Sequence, residues 1–233
     1  MTTEQSAPET VPDQKKIAKL DEPVPDTFNQ LLPLPEGWKK DNKHPKFQHC
    51  QPPKPPVYPK GMQSVFLAGS IEMGKAIQWQ ERLVEHLQHL PLTVCNPRRG
   101  SWTIDGTPAE MKKAFDEQVK WELEALENCD VICFFFDHAT ISPVTLVELG
   151  LWAKSGKVVV CCSKKYWRAS NVHFVCDRYK VPITDTFENL LPLVKHKLQE
   201  KGMKFPDSED VRIPPTVSDL SAQPTKWKFE RDE

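Results

Sequence analysis

At 233 residues the chain has room for one domain of ordinary size plus tails. A net charge of −1 at pH 7 lacks the basic excess that non-specific binding to a nucleic-acid backbone needs, so no nucleic-acid polymer is expected and any nucleotide recognition is local. Hydrophobic content of 39%, a mean hydropathy of −0.53, and 22 prolines against 9 glycines describe polar ends around a more apolar middle.

No apolar run approaches the roughly 18 residues of a membrane span, and the N-terminal MTTEQSAPETVPDQKK has no apolar region of a signal peptide, which predicts a soluble, cytoplasmic protein with no membrane partner. Seven cysteines are an odd number. Cys133, Cys161 and Cys162 lie in strand-like runs and no paired CxxC motif occurs, so buried reduced thiols are expected rather than a disulfide framework or a zinc site.

Residues 1–60 are proline-rich and charged and have no sustained helical or strand period, so a largely disordered leader is expected. Phe28 to Leu34 and Trp38 offer enough apolar surface to lie on the domain as a strap. The folded domain, 61–202, opens with SVFLAGS: a buried strand over Val65–Ala68, then Gly69-Ser70, where small residues let a ligand approach the backbone. Ile77, Leu83, Val84 and Leu87 mark one side of a helix. Leu92–Cys95 forms a second strand, followed by NPRRG, whose Arg98 and Arg99 suit an anion because guanidinium forks match phosphate oxygens.

Met111, Phe115, Val119, Leu123 and Leu126 mark the apolar stripe of a long helix ending near Asn128, with Trp121-Glu122 positioned to reach the same strand edge. The run Val131–Phe136 is a strand covered on both faces, begun by a structural Asp130 and left through Asp137. Ser142-Pro143 is an N-cap and first-turn pair that opens a helix carrying one carboxylate, Glu148. KVVVCC is another buried strand, followed by a polar-aromatic loop with Arg168 and Asn171, a short apolar HFVC segment, and a last helix over 185–201. The remaining residues, 203–233, are expected as a polar tail.

Alternating strands and helices predict an α/β fold: a flavodoxin/Rossmann-like, doubly wound, mainly parallel sheet with helices on both faces. Its ligand edge is expected at the carboxyl ends of the strands, where a helix N-terminus also favours anions. The dinucleotide fingerprint GxGxxG, the phosphate loop GxxxxGK[ST], the GxSxG elbow and the HExxH pair are all missing, which argues against the commonest dehydrogenase, NTPase, hydrolase and metalloenzyme classes.

FLAGSI, NPRRG, QVKWELEAL, DVICFFF, SPVTLVELG, GKVVVCC and WRASNV, in this order, resemble the nucleoside 2-deoxyribosyltransferase-like family over about residues 64–183. The resemblance implies N-glycosidic chemistry on a small (deoxy)nucleoside or nucleotide, without metal or cofactor, in a domain that can form homo-oligomers. Glu148, in the ELG motif, takes the family's nucleophile position, and a carboxylate there can capture an anomeric carbon as a covalent glycosyl-enzyme. Glu122 stands where transferases of the family carry a shorter aspartate, and is the candidate proton shuttle or sugar ligand; Asp137 is the alternative second acid.

Ser142 stands where transferases acting on free nucleosides carry aspartate and where nucleotide-hydrolysing relatives use a serine for the 5′-phosphate. Asn171 matches a sugar-contacting position, sometimes supplied by a neighbouring subunit, and Arg168 is a candidate phosphate or carboxylate partner. Trp79, Trp102, Trp121 and Trp167 are candidates for stacking a base or for packing. Three readings follow: sugar transfer between nucleobases, hydrolysis of a nucleoside 5′-monophosphate, and a non-catalytic nucleotide-binding adaptor.

Overall fold

The computed structural model describes residues 18–20, 22–103 and 107–214. Its elements are β1 (Ala18–Leu20), β2 (Gln48–Cys50), β3 (Gln63–Gly69), α1 (Trp79–Leu87), β4 (Leu92–Cys95), β5 (Ser101–Thr103), α2 (Pro108–Asn128), β6 (Val131–Phe136), α3 (Pro143–Trp152), β7 (Val158–Cys162), α4 (Ala169–Tyr179), β8 (Ile183–Thr184) and α5 (Phe187–Glu200). Six strands form one parallel sheet in the order β2-β4-β3-β6-β7-β8, and β1 pairs antiparallel with β5 apart from it. Leaving out the added edge strand β2, the order is that of a flavodoxin-like sheet, whose direction of winding reverses between β3 and β6.

β6 shows why the sheet is buried on both faces. Ile132, Phe134 and Phe136 enter one apolar cluster with residues of α2, α3 and α4; Val131, Cys133 and Phe135 enter another with α1 and α5. Alternate side chains of a strand point to opposite faces, so a continuous apolar run serves two helical layers at once. Asp130 accepts bonds from the Ser64 N–H at 2.8 Å and its hydroxyl at 2.9 Å, tying the start of β6 to β3. All seven cysteines are buried free thiols, as expected.

Part of the segment expected as a leader packs on the domain. Residues 22–60 lie on the domain: Val24, Leu31, Leu32 and Phe47 pack against the apolar cluster beside α1, and β2 pairs with β4. The strap read from Phe28 to Leu34 and Trp38 is therefore present, with the Trp38 indole donating to the Glu85 carbonyl at 3.1 Å. Proline density concealed it, because pairing by a three-residue strand leaves no periodic signal. At the other end, Met203 and Phe205 also pack on the domain, and Glu209 pairs with Lys195 and, at 2.7 Å, with His89.

Two local expectations are corrected. HFVC and most of the polar-aromatic loop before it lie inside α4, whose buried side is Ala169, Val172, His173 and Cys176. On α2 the buried side is Trp121, Ala125 and Leu126, while Met111, Phe115 and Leu123 are exposed. The predicted α2 stripe thus does not pack into the core over most of its length.

Candidate active site at the switch point of the sheet

A cavity of about 890 Å³ opens at the carboxyl ends of β3 and β6, within the size range of small-molecule sites. Its floor is Phe66, Ala68 and Gly69; one wall is the α2 face with Met111, Ala114, Phe115, Gln118, Val119 and Glu122; the other is the start of α3, Ser142 to Thr145 with Glu148. The exposed apolar residues at the start of α2 are thereby explained. They face a cavity instead of the core.

Gly69 is required by this arrangement. Its φ is +151°, and a Cβ there would come within 2.4 Å of the Phe135 carbonyl and 2.8 Å of the Trp79 ring. Next to it, the Ser70 hydroxyl sits under a compact network: Ser142 Oγ donates to Ser70 Oγ at 2.7 Å, Thr140 Oγ1 lies 2.9 Å from Ser70 Oγ and 2.8 Å from Ser142 Oγ, and the Asp137 N–H donates to Ser70 Oγ at 2.9 Å. Ser142 is the N-cap residue by position, but in left-handed backbone (φ 42°) its side chain turns to Ser70 and makes no capping bond to α3.

Glu148 and Glu122 come from α3 and α2 and face the same cavity. Burial, together with the neighbouring Glu122, pushes the Glu148 carboxyl up to about 8. Burial also raises Glu122, opposed by the Gln118 amide, which donates to Glu122 Oε1 at 2.6 Å, and by the charge of Arg99. Arg99 in turn bonds Gln118 Oε1 and donates to the Ala114 carbonyl at 3.0 Å, so Arg99, Gln118 and Glu122 form one chain along α2. Two close carboxyls with raised affinity for protons, held by different helices, suit nucleophile and acid–base roles.

Other sequence candidates do not reach the cavity. Arg98 is buried, its guanidinium donates to the Ile77 carbonyl at 2.9 Å and the Gly74 carbonyl at 3.3 Å in the loop after β3, and it does not line the cavity. Asp137 is buried with its carboxylate turned to the N–H groups of Ile77 and Ala139 and to Gln30, and it is not among the residues lining the cavity. Trp121 is buried against Phe66 with its indole on the Lys54 carbonyl at 2.6 Å. Arg168 stacks on Trp167 and Asn171 is exposed on α4, neither of them lining the cavity. Trp79 is a core residue bonded to the Ser70 carbonyl; Trp102 side-chain placement lies outside the described residues.

Sequence reasoning passed over Gln118 and Thr140. Gln118 lies four residues before Glu122, the spacing at which helix side chains meet, and that spacing was the available signal. Thr140 sits in a loop, where no periodicity points to it.

Residues 62–166 match the model of the family described as nucleoside 2-deoxyribosyltransferase like. This part of the chain is similar to that family. The matched segment holds Gly69, Ser70, Glu122, Ser142 and Glu148, whereas Arg168, Asn171 and the strap fall outside it. No curated protein matches the chain. Among solved structures, the crystal structure of a conserved protein from Enterococcus faecalis V583 is 16% identical, with 59% of this chain and 99% of that chain covered and a TM-score of 0.45. Among the described residues, no helix is long and apolar enough to cross a membrane.

Proposed function

We propose that the protein transfers a (2-deoxy)ribosyl group between nucleobases through a covalent ester on Glu148. The observation that carries this reading is the meeting of Glu148 and Glu122 in one large cavity at the switch point of the sheet. The Glu148 carboxylate attacks the anomeric carbon as the C–N bond breaks, and the base leaves with the bonding pair and takes a proton from Glu122. In the second half-reaction the ring nitrogen of an acceptor base attacks the same carbon, Glu148 departs as carboxylate, and Glu122 recovers a proton from the acceptor. Two displacements retain configuration.

The charges around the cavity favour an uncharged nucleoside over a 5′-monophosphate. Besides the proposed catalytic pair, the carboxylates Glu72 and Glu110 line it, and the guanidinium of Arg99 is already bonded to Gln118 and the Ala114 carbonyl, while Arg98 is engaged by backbone carbonyls. Ser142, still at the cavity beside the first turn of α3, is the feature that supports the hydrolase reading. A homo-oligomer fits the uncovered stripe Val144, Val147 and Leu151 on α3, which continues from the cavity rim at Val144 and is suited to a second copy of the chain.

The test is chromatographic: purified protein with deoxynucleosides and, separately, their 5′-monophosphates, each with and without a second free base. Transfer gives a new nucleoside only when acceptor is present, and Glu148→Gln lowers it at least about 1,000-fold. Base release without acceptor, greater from monophosphates, would replace transfer with hydrolysis. Tight base or nucleoside binding with no turnover in any tube would leave the adaptor reading.

A further inference from the structure

The strap's hydrogen bonds to Asp137 and Gln78 lie outside the lining of the large cavity, yet they grip both loops that shape it. Gln30 Nε2 donates to Asp137 Oδ1 at 3.0 Å, at the exit of β6. Gln78, immediately before α1 at the end of the β3–α1 loop, completes the clasp from the domain side: its Oε1 accepts from the Val24 N–H at 2.9 Å and its Nε2 donates to the Glu22 carbonyl at 2.8 Å. Gln30 is itself held, because the Asp26 carboxylate accepts from the N–H groups of Gln30 at 2.9 Å and Leu31 at 2.8 Å. Two bonds from successive backbone N–H groups to one carboxylate fix the strap backbone where the Gln30 amide must point.

From Asp137 the path leads into the site. Its second oxygen takes the Ile77 N–H at 3.0 Å, joining the two loops, and its own N–H reaches the Ser70 hydroxyl on which Ser142, the residue that starts α3, also rests. Gln30 and Ser142 are thus linked through two intermediate residues, Asp137 and Ser70, all of them buried or half-buried. Buried polar networks transmit displacement because each member has few alternative partners. Six residues beyond Ser142 on the same helix stands Glu148.

We infer that Gln30 is a positioning residue for the catalytic helix, so that the N-terminal strap, which lies outside the family-matched segment, is a working part of the site. The inference rests on the glycosyl-transfer reading for its catalytic readout. It makes a separate physical claim about the start of α3.

The experiment uses the full chain with Gln30→Ala, Ser142→Ala and the double variant. Hydrogen exchange of the amides of residues 144–149 speeds up at least about fivefold in Gln30→Ala while that of α5 does not change. In turnover, kcat falls about tenfold with KM within about twofold, and the double variant is no worse than Ser142→Ala alone, the non-additivity of residues acting through one path. Unchanged exchange at 144–149, or losses that multiply in the double variant, would overturn the inference. Wild-type protein without turnover would defeat the transferase reading instead, and the exchange data would still decide whether the strap orders α3.

Discussion

Glu148 is a helical glutamate whose surroundings change what it can do. Burial and the nearby Glu122 raise its pKa to about 8, well above the ordinary carboxylate value. A nucleophile must be ionised, so kcat/KM is expected to climb as pH rises toward 8, as a rate profile on any accepted nucleoside would read. The same shift acts on stability. Between the ordinary carboxylate range and about pH 8 the folded chain keeps a proton that the unfolded chain releases, so this group lowers stability progressively as pH rises through that window. Glu148→Gln should therefore gain more over wild type in denaturant midpoint at pH 8 than at pH 5, and a gap that does not vary with pH would contradict the environment described for Glu148.

At the scale of elements, α2 performs two tasks along its 21 residues. It starts with a capping box, in which the Thr107 side chain accepts from the Glu110 N–H and the Glu110 carboxylate accepts from the Thr107 N–H, satisfying otherwise orphan donors. Its first half presents Met111 and Phe115 to the cavity, and its last turns bury Ala125 and Leu126 in the core. The two halves should separate on mutation. Leu126→Ala should cost about 2–5 kcal/mol in a denaturation curve, as large-to-small core changes do. Phe115→Ser should change stability by no more than about 0.5 kcal/mol, as for an exposed position, while raising KM several-fold because it removes apolar wall from the ligand side. Equal destabilisation by the two would place Phe115 in the core after all.

For the whole molecule, the exposed Val144, Val147 and Leu151 recur at helical spacing on α3, beyond the scattered apolar residues that any surface carries. Sedimentation of the wild type should show self-association, and Val147→Lys should shift it toward monomer while leaving the thermal midpoint of the isolated chain nearly unchanged. A wild type that remains monomeric at high concentration would remove the second copy from the proposed function. The strap belongs to this scale too: it closes over the α1 side of the sheet, away from the large cavity, so it acts as a brace on the loops and not as a lid.

The alternating apolar runs and helical stripes were enough to determine the parallel sheet, most of its strands and the helix that carries Glu148, because burial on two faces and a proline in a helix's first turn leave local marks. The two candidate carboxylates, Glu148 and Glu122, stand in the ELG and WELEAL stretches, and both line the cavity. Which other polar residues face the cavity was not legible in the sequence. Arg98, Asp137 and Trp121 lie in the right segments, yet their side chains are taken by backbone groups and by the core, and this depends on contacts between loops far apart in the chain. Only the tertiary structure decided that Val24, Leu31, Leu32 and Phe47 of the proline-rich leader pack on the domain. Its apolar residues follow no period, and its hold on the site passes through Asp137, 107 residues away from Gln30, a separation over which no local pattern in a sequence can speak.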